Sequence, residues 1–79
     1  MRKDVMNLFD SIVKNYLEKI PGHSWVLNYY YYSGGYRIVL REDKTSSESV
    51  PFGYTYRNHN EMIHFLAGMK EAFMYGKRS

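Results

Sequence analysis

The sequence has 79 residues, no cysteine and a net charge of +3 at neutral pH. The lack of cysteine excludes disulfide bonds and thiolate metal sites, and the length predicts a single domain over residues 1–79 with a small core. No apolar run approaches the roughly 18 residues that a membrane span needs, so we expect a cytoplasmic protein with no membrane partner.

The first predicted element is an amphipathic helix over residues 4–20. Its apolar side chains recur three or four positions apart from Val5 to Ile20, which is the spacing of one helix face. Pro21 and Gly22 follow, and both residues disfavour continuation of a helix. The helix is therefore expected to end at this dipeptide.

Two strands are predicted next, over residues 24–32 and 36–41, where aromatic and β-branched residues alternate with others. The two glycines at 34–35 predict a two-residue hairpin turn, because glycine accepts the positive φ angles that such turns require. A turn of that length pairs Tyr32 with Arg37 and fixes the register of the whole hairpin.

The predicted register assigns the tyrosines of "LNYYYYSGGYRIVL" to two faces. Residues opposite each other on paired strands share a face, and successive residues of a strand alternate between faces. Tyr29 and Tyr31 are therefore expected to lie in the core, and Tyr30 and Tyr32 are expected to face outward.

A third strand is predicted over residues 50–56, after a polar loop. Its alternating aromatic residues give an inward set of Val50, Phe52, Tyr54 and Tyr56. Pro51 has no backbone N–H to donate, so it favours a position at the edge of the sheet.

A second amphipathic helix is predicted over residues 59–75. Asn58 and Glu61 have the spacing of a capping box at its start. Gly76 is expected to end the helix, which leaves residues 77–79 as a basic tail.

The element order α-β-β-β-α predicts an α+β fold: a two-layer sandwich in which two helices pack on one face of a three-stranded antiparallel meander. This order resembles that of double-stranded-RNA-binding domains. The basic cluster of those domains would fall on "RNHNEMIHF", where Arg57 is the only fully charged basic residue, and their long first loop is here only "SGG". The resemblance is one of topology alone, and we assign the chain to no family.

Catalytic and metal-binding patterns are weak in this sequence. Glu61 and His64 have the carboxylate–histidine spacing of di-iron bundles, but such sites need the motif twice. No serine lies in a nucleophile motif, and no carboxylate pair is placed for acid–base chemistry. We therefore expect no enzymatic activity, no metal site and no cofactor.

The outward face of the predicted sheet is the candidate binding site. It combines tyrosine and arginine, the residue types enriched at protein–protein hot spots. The predicted site residues are Asn28, Tyr30, Tyr32, Arg37, Arg41, Thr55 and Arg57. The same residues fit an alternative function, in which tyrosines stack on bases and arginines bind phosphates of a nucleic acid or nucleotide. A third interpretation is an ordinary solvated sheet face.

Two further expectations concern partners. The strand at 24–32 has neither proline nor lysine to protect its edge, and a homodimer paired across it is therefore one hypothesis. Amino acids with A/T-rich codons (Phe, Tyr, Met, Ile, Asn and Lys) make up 33 of the 79 residues, which indicates a genome of low GC content. We expect a small protein-binding module. Short proteins without cysteine from such genomes are often accessory proteins of phages or mobile elements, and by this association the chain is expected to occlude a host protein.

Overall fold

The structure is a computed structural model that describes residues 3–78. Its elements are helix α1 (Lys3–Asn15), strands β1 (His23–Tyr30), β2 (Gly35–Glu42) and β3 (Glu48–Ser49), and helix α2 (His59–Arg78). The strands form one antiparallel sheet in the order β1-β2-β3. The predicted α+β fold, with its order of helix, three strands and helix, is confirmed.

Both helices pack on one face of the sheet, which we call the inner face. It carries Tyr36 and Ile38, which are 3% and 2% exposed. These two side chains join the buried side chains of the helices in one apolar core, which contains Val5, Phe9, Ile12, Met62 and Leu66. The core therefore lies between the helix layer and the inner face, as the alternation of the strands predicts.

The two helices run side by side in the same direction. Near their starts, Nε2 of His59 on α2 lies 3.2 Å from Oδ2 of Asp4 on α1. Just beyond the end of α1, the ring of Tyr16 stacks on Phe73 of α2, with centroids 5.7 Å apart and planes 5° from parallel. Contacts at both ends thus fix the alignment of the helix layer.

Helix α1 is shorter than the predicted helix at 4–20, which is wrong at its C-terminal end because the helix stops at Asn15. The backbone carbonyl of Glu18 accepts a hydrogen bond of 3.0 Å from the indole Nε1 of Trp25, a residue of β1. This bond ties the segment after the helix to the sheet. The apolar spacing continues through Leu17, but there the side chain packs against the core from a non-helical backbone.

The hairpin turn between β1 and β2 spans residues 31–34, so the predicted two-residue turn is wrong. Tyr29 pairs with Tyr36, whereas the predicted turn would have paired it with Leu40. The register therefore differs from the prediction by four residues. Because four is an even number, every residue that stays within the strands keeps its predicted face.

The two glycines of the hairpin meet different requirements. Gly34 has a φ of +67°, and its N–H closes the turn by donating to the carbonyl of Tyr30 at 2.9 Å. Gly35 has no positive φ and is the first residue of β2. A Cβ at Gly35 would lie only 2.8 Å from the Cβ of Tyr56, so glycine is needed there for close approach of the later loop.

The longer turn removes two tyrosines from the strand. Tyr31 and Tyr32 lie in the turn and are 81% and 86% exposed. The prediction that Tyr31 lies in the core is wrong, and Tyr32 lies beyond the end of the strand. Tyr29 keeps its place on the inner face, where its ring contacts Tyr36 with centroids 5.1 Å apart. It is 36% exposed and lies outside the core, so the prediction that Tyr29 is a core residue is also wrong.

The third strand predicted at 50–56 is also wrong, because β3 ends at Ser49, opposite Leu40 of β2. Continuing this pairing would place Pro51 opposite Ile38, at a position where paired residues exchange hydrogen bonds. Proline has no N–H to donate, so the ladder stops before it.

The chain returns to β2 at a second point. The N–H of Tyr36 donates to the carbonyl of Arg57 at 2.7 Å, and the N–H of Arg57 donates to the carbonyl of Tyr36 at 2.8 Å. Residues 50–56 therefore form a loop alongside residues 37–39 of β2, and we call it the return loop.

The return loop distributes its aromatic residues among three environments. Phe52 packs into the core, with ring centroids 5.8 Å from Trp25 and 6.2 Å from Phe65. Tyr54 is 79% exposed, and Tyr56 contacts the opposite face of the sheet, which we call the outer face. The prediction that Tyr54 and Tyr56 point inward is therefore wrong.

The predicted capping box at the start of α2 is confirmed. The N–H of Asn58 donates to Oε1 of Glu61, and the N–H of Glu61 donates to Oδ1 of Asn58, both at 2.9 Å. At its other end α2 runs through Gly76 to Arg78, so the predicted end at residue 75 is wrong. Of the predicted basic tail at 77–79, two residues are helical and Ser79 lies outside the described residues.

The close approach at Gly35 gives a test of the return loop. We expect Gly35→Ala to lower the free energy of unfolding by about 1–3 kcal/mol, because the added methyl group forces the loop away from the sheet. The matched control is Gly68→Ala in α2, where nothing beyond the adjoining residues and the backbone of the helix itself lies within 4 Å of the added Cβ. That change should raise stability by up to about 1 kcal/mol through helix propensity. Urea unfolding followed by circular dichroism measures both, and equal effects would contradict the loop position.

Candidate functional site

Four tyrosine rings form a continuous line from the hairpin turn onto the outer face of the sheet. We call this line the tyrosine ridge, and in order it consists of Tyr31, Tyr32, Tyr30 and Tyr56. The centroids of successive rings lie 5.7, 5.7 and 5.1 Å apart. These separations are in the range of favourable aromatic contacts, so each ring supports the next.

Arg37 supports the base of the ridge. Its guanidinium carbon lies 4.4 Å from the ring centroid of Tyr56, which is a cation–π contact. Its Nη1 also donates to the backbone carbonyl of Tyr54 at 3.3 Å. Arg37 therefore holds the return loop against the outer face, and its guanidinium is engaged with protein groups.

The other two arginines of the predicted site are engaged elsewhere. Arg41 binds Oε2 of Glu48 through Nε at 2.9 Å and Nη2 at 2.6 Å. The guanidinium of Arg57 lies 4.0 Å from the ring centroid of Phe65, a residue of α2. Arg57 is paired with Tyr36 and shares its inner face, so the prediction that Arg57 lies on the outer face is wrong.

The remaining predicted residues lie at different distances from the ridge. Asn28 is half-buried on the outer face, directly opposite Arg37. Thr55 is exposed, but it lies in the return loop and not on a strand. The structure thus brings Tyr30, Tyr32 and Arg37 together, with Asn28 beside them.

Sequence reasoning missed Tyr31, Tyr54 and Tyr56 as surface residues. All three were assigned to the core by strict alternation along strands that end earlier in the structure. The signal against a third strand was the combination of Pro51 with Gly53, whose φ is +109°. These residues interrupt the aromatic alternation, and no regular strand continues through them.

An open groove lies beside the ridge, between β2 and the return loop. Its volume is about 490 Å³, and its lining residues are Arg37, Glu48, Ser49, Val50, Pro51 and Tyr54. Two of them, Arg37 and Tyr54, are the residues whose hydrogen bond supports the base of the ridge. The ridge and the groove therefore form one uneven surface on the same side of the molecule.

Acidic and histidine side chains meet at most in pairs in the arrangements relevant to a metal site within the described part of the chain. Residues 3–78 contain no group of three histidine, aspartate or glutamate side chains placed to hold a metal ion. The carboxylate of Glu61 accepts the capping hydrogen bond from Asn58, and His59 contacts Asp4 between the helices. These groups serve the fold.

Comparison of the chain with protein-family models, with curated proteins and with solved structures gives no match. Across residues 3–78, neither helix combines the length and the apolar character needed to cross a bilayer. The function is therefore inferred from the geometry of the chain's own residues.

The ridge should divide into a structural base and a tip that adds little to stability. We expect Tyr56→Ala to lower the free energy of unfolding by about 1–3 kcal/mol, because it removes the contacts with Tyr30 and Arg37. Tyr32→Ala should change it by less than about 0.5 kcal/mol, because the side chain is 86% exposed. Urea unfolding compares the two variants. A similar loss in both would mean that the tip, too, is part of the folded framework.

Proposed function

We propose that this chain is a non-catalytic protein-binding module and that the tyrosine ridge is its contact surface. The observation that carries the proposal is the exposure of two adjacent tyrosines, Tyr31 and Tyr32, at 81% and 86%. Side chains this exposed add little to the stability of the isolated chain. Burial against a partner would remove a large aromatic surface from water, which is the main source of binding energy at hot spots.

The ridge is also suited to binding because its rings are already placed. Tyr32 contacts both Tyr31 and Tyr30, and the base at Tyr56 is fixed by Arg37. Tyrosine has few rotatable bonds, so ordering it at an interface costs little conformational entropy. Mutual ring contacts reduce that cost further.

The arginine contacts favour a protein partner over the alternative of a nucleic acid or nucleotide. Binding to phosphates would draw on Arg37, Arg41 and Arg57. Each of these guanidinium groups contacts a ring, a carboxylate or a backbone carbonyl of the chain itself. Phosphate binding would have to replace these contacts, whereas a protein interface centred on tyrosine leaves them in place.

The decisive variant is the double change Tyr31→Ala with Tyr32→Ala. Its matched control is Tyr75→Ala, which removes a tyrosine that is 66% exposed on α2, away from the ridge. Proteins captured by the immobilised wild-type chain and the control, but lost with the double variant, are candidate partners. With a purified candidate we expect the double variant to raise Kd by at least about 30-fold, as for a hot spot of roughly 2 kcal/mol.

Salt dependence separates the two kinds of partner. For a protein partner we expect Kd to change less than about tenfold between 50 and 200 mM salt, since phosphate-driven binding loses far more over this range. A fluorescent oligothymidylate of about 20 nucleotides provides the comparison by anisotropy. Tight binding of this probe that depends on Tyr31 and Tyr32 and falls steeply with salt would contradict the protein-binding proposal.

A further inference from the structure

Strand β1 is an open edge of the sheet. β2 lies on one side of it, and the described residues place no strand on the other. The N–H of Asp43 donates to the carbonyl of Gly22 at 2.9 Å, which sets the phase of the alternating bonds between β1 and β2. From Gly22 onward, every second residue of β1 forms its backbone hydrogen bonds with β2. The residues between them direct their N–H and C=O groups toward the open edge.

The outward-directed groups belong to a short segment with clear limits. At its start, the N–H of His23 already donates to the carbonyl of Ile20 at 3.0 Å. At its end, the hairpin turn begins after Tyr30. Between these limits, the residues that offer both N–H and C=O to the open edge are Trp25, Leu27 and Tyr29. This set is symmetric about Leu27.

We propose that a second copy of this chain pairs with this edge, with the two β1 strands antiparallel and Leu27 on a twofold axis. Trp25 of each copy then lies opposite Tyr29 of the other, and the two Leu27 residues lie opposite each other. Paired residues of this kind exchange two hydrogen bonds, so all the outward-directed groups of the segment are satisfied. The two sheets become one continuous six-stranded sheet.

Two copies of β1 can lie side by side without repulsion between like charges on the strands. Residues 24–30, "SWVLNYY", contain no charged side chain and no proline. A twofold axis brings a strand against its own copy, so any charge near the axis would meet a like charge. Most natural edge strands carry a lysine, a proline or a bulge that prevents such pairing. This segment of β1 contains neither lysine nor proline.

The inner face beside the edge is also shaped for a second copy. An open groove of about 280 Å³ runs between α1 and β1, and its lining residues are Met6, Phe9, Asp10, Trp25, Val26 and Leu27. Met6 is 39% exposed there. In the paired sheet, Leu27 of the second copy points to the same inner side and covers this groove. The apolar inner face then continues across the axis, and the exposed carboxylate of Asp10 lies at the rim of the groove.

Pairing would add buried surface, and so stability, to a chain whose small size limits its core. A domain of this length buries a small core, and association with a second copy is one of the common ways to supplement it. Tyr31 and Tyr32 lie beyond the paired segment, so the dimer would carry two tyrosine ridges on opposite sides of the axis, about 25 Å apart along the strands. Dimerisation is thus independent of the binding function proposed above, although it would make that binding bivalent.

The first test measures mass and backbone protection together. Light scattering after gel filtration, at loading concentrations from about 5 to 500 µM, should give twice the chain mass of 9.4 kDa at the upper end. Hydrogen exchange followed by NMR should show the amides of Trp25, Leu27 and Tyr29 protected in the dimer and losing protection on dilution. A single-chain mass at every concentration overturns the proposal. So does a dimer in which these amides exchange freely, because another surface would then form it.

A second test uses charge at two outer-face positions that the proposed register places opposite each other. In Val26→Glu with Asn28→Glu, glutamates face each other across the axis, and the chain should be monomeric. In Val26→Lys with Asn28→Glu, opposite charges meet, and the dimer should return. Both variants are first checked for the wild-type circular dichroism spectrum. If they then have the same mass, whether of one chain or of two, pairing in this register is wrong.

The failure of this proposal is separable from failure of the proposed function. Tyr31→Ala with Tyr32→Ala should leave the mass of the dimer unchanged, because neither residue is in the paired segment. The wild-type chain, diluted until light scattering gives a single-chain mass, should still bind a protein partner, with at most the loss that accompanies a change from two sites to one.

Discussion

Two backbone hydrogen bonds between Tyr36 and Arg57, of 2.7 and 2.8 Å, determine how the rest of the molecule is arranged. Because paired residues share a face, Arg57 points to the helix layer and contacts Phe65. Its neighbour Tyr56 consequently lies on the outer face, against Tyr30. Asn58, the cap of α2, follows directly, so the same pair also sets where that helix starts. The core and the candidate site are thus connected through one point of the sheet.

The sequence allowed the fold and the faces of the hairpin to be predicted, but not its register. Side-chain direction in a strand repeats every two residues, so an error of four residues left Tyr30 and Arg37 on the predicted face. The length of the turn is not encoded in that alternation, and Tyr31 was misplaced for this reason. Nor does the sequence show why a glycine is present. Gly35 is required by close approach of Tyr56, a residue 21 positions later in the chain.

The candidate site was predicted in part, because the sequence shows which residue types it contains but not which contacts they make. Tyrosine and arginine were visible as a group, but each guanidinium finds its partner at a distance in the sequence. Arg37 contacts Tyr54 and Tyr56 across the return loop, and the position of that loop depends on where Pro51 meets β2. These contacts change the functional interpretation. Arg37 was a candidate phosphate ligand in the sequence, whereas in the structure its guanidinium contacts Tyr54 and Tyr56 and supports the tyrosine ridge.

The open edge belongs to β1, and three of the four rings of the tyrosine ridge belong to β1 and its turn, because β2 is covered on its other side. There Ser49 pairs with Leu40 and Arg57 pairs with Tyr36, while nothing in the described chain performs this role for β1. The features differ in how they tolerate water. The tyrosine ridge has a hydroxyl group on every ring, so it remains hydrated while exposed. The edge at residues 24–30 has no charge or proline to stop another strand from adding to it. An unprotected edge of this kind favours aggregation unless a defined partner strand covers it. The partner that is always present at the same concentration as the chain is a second copy of the chain.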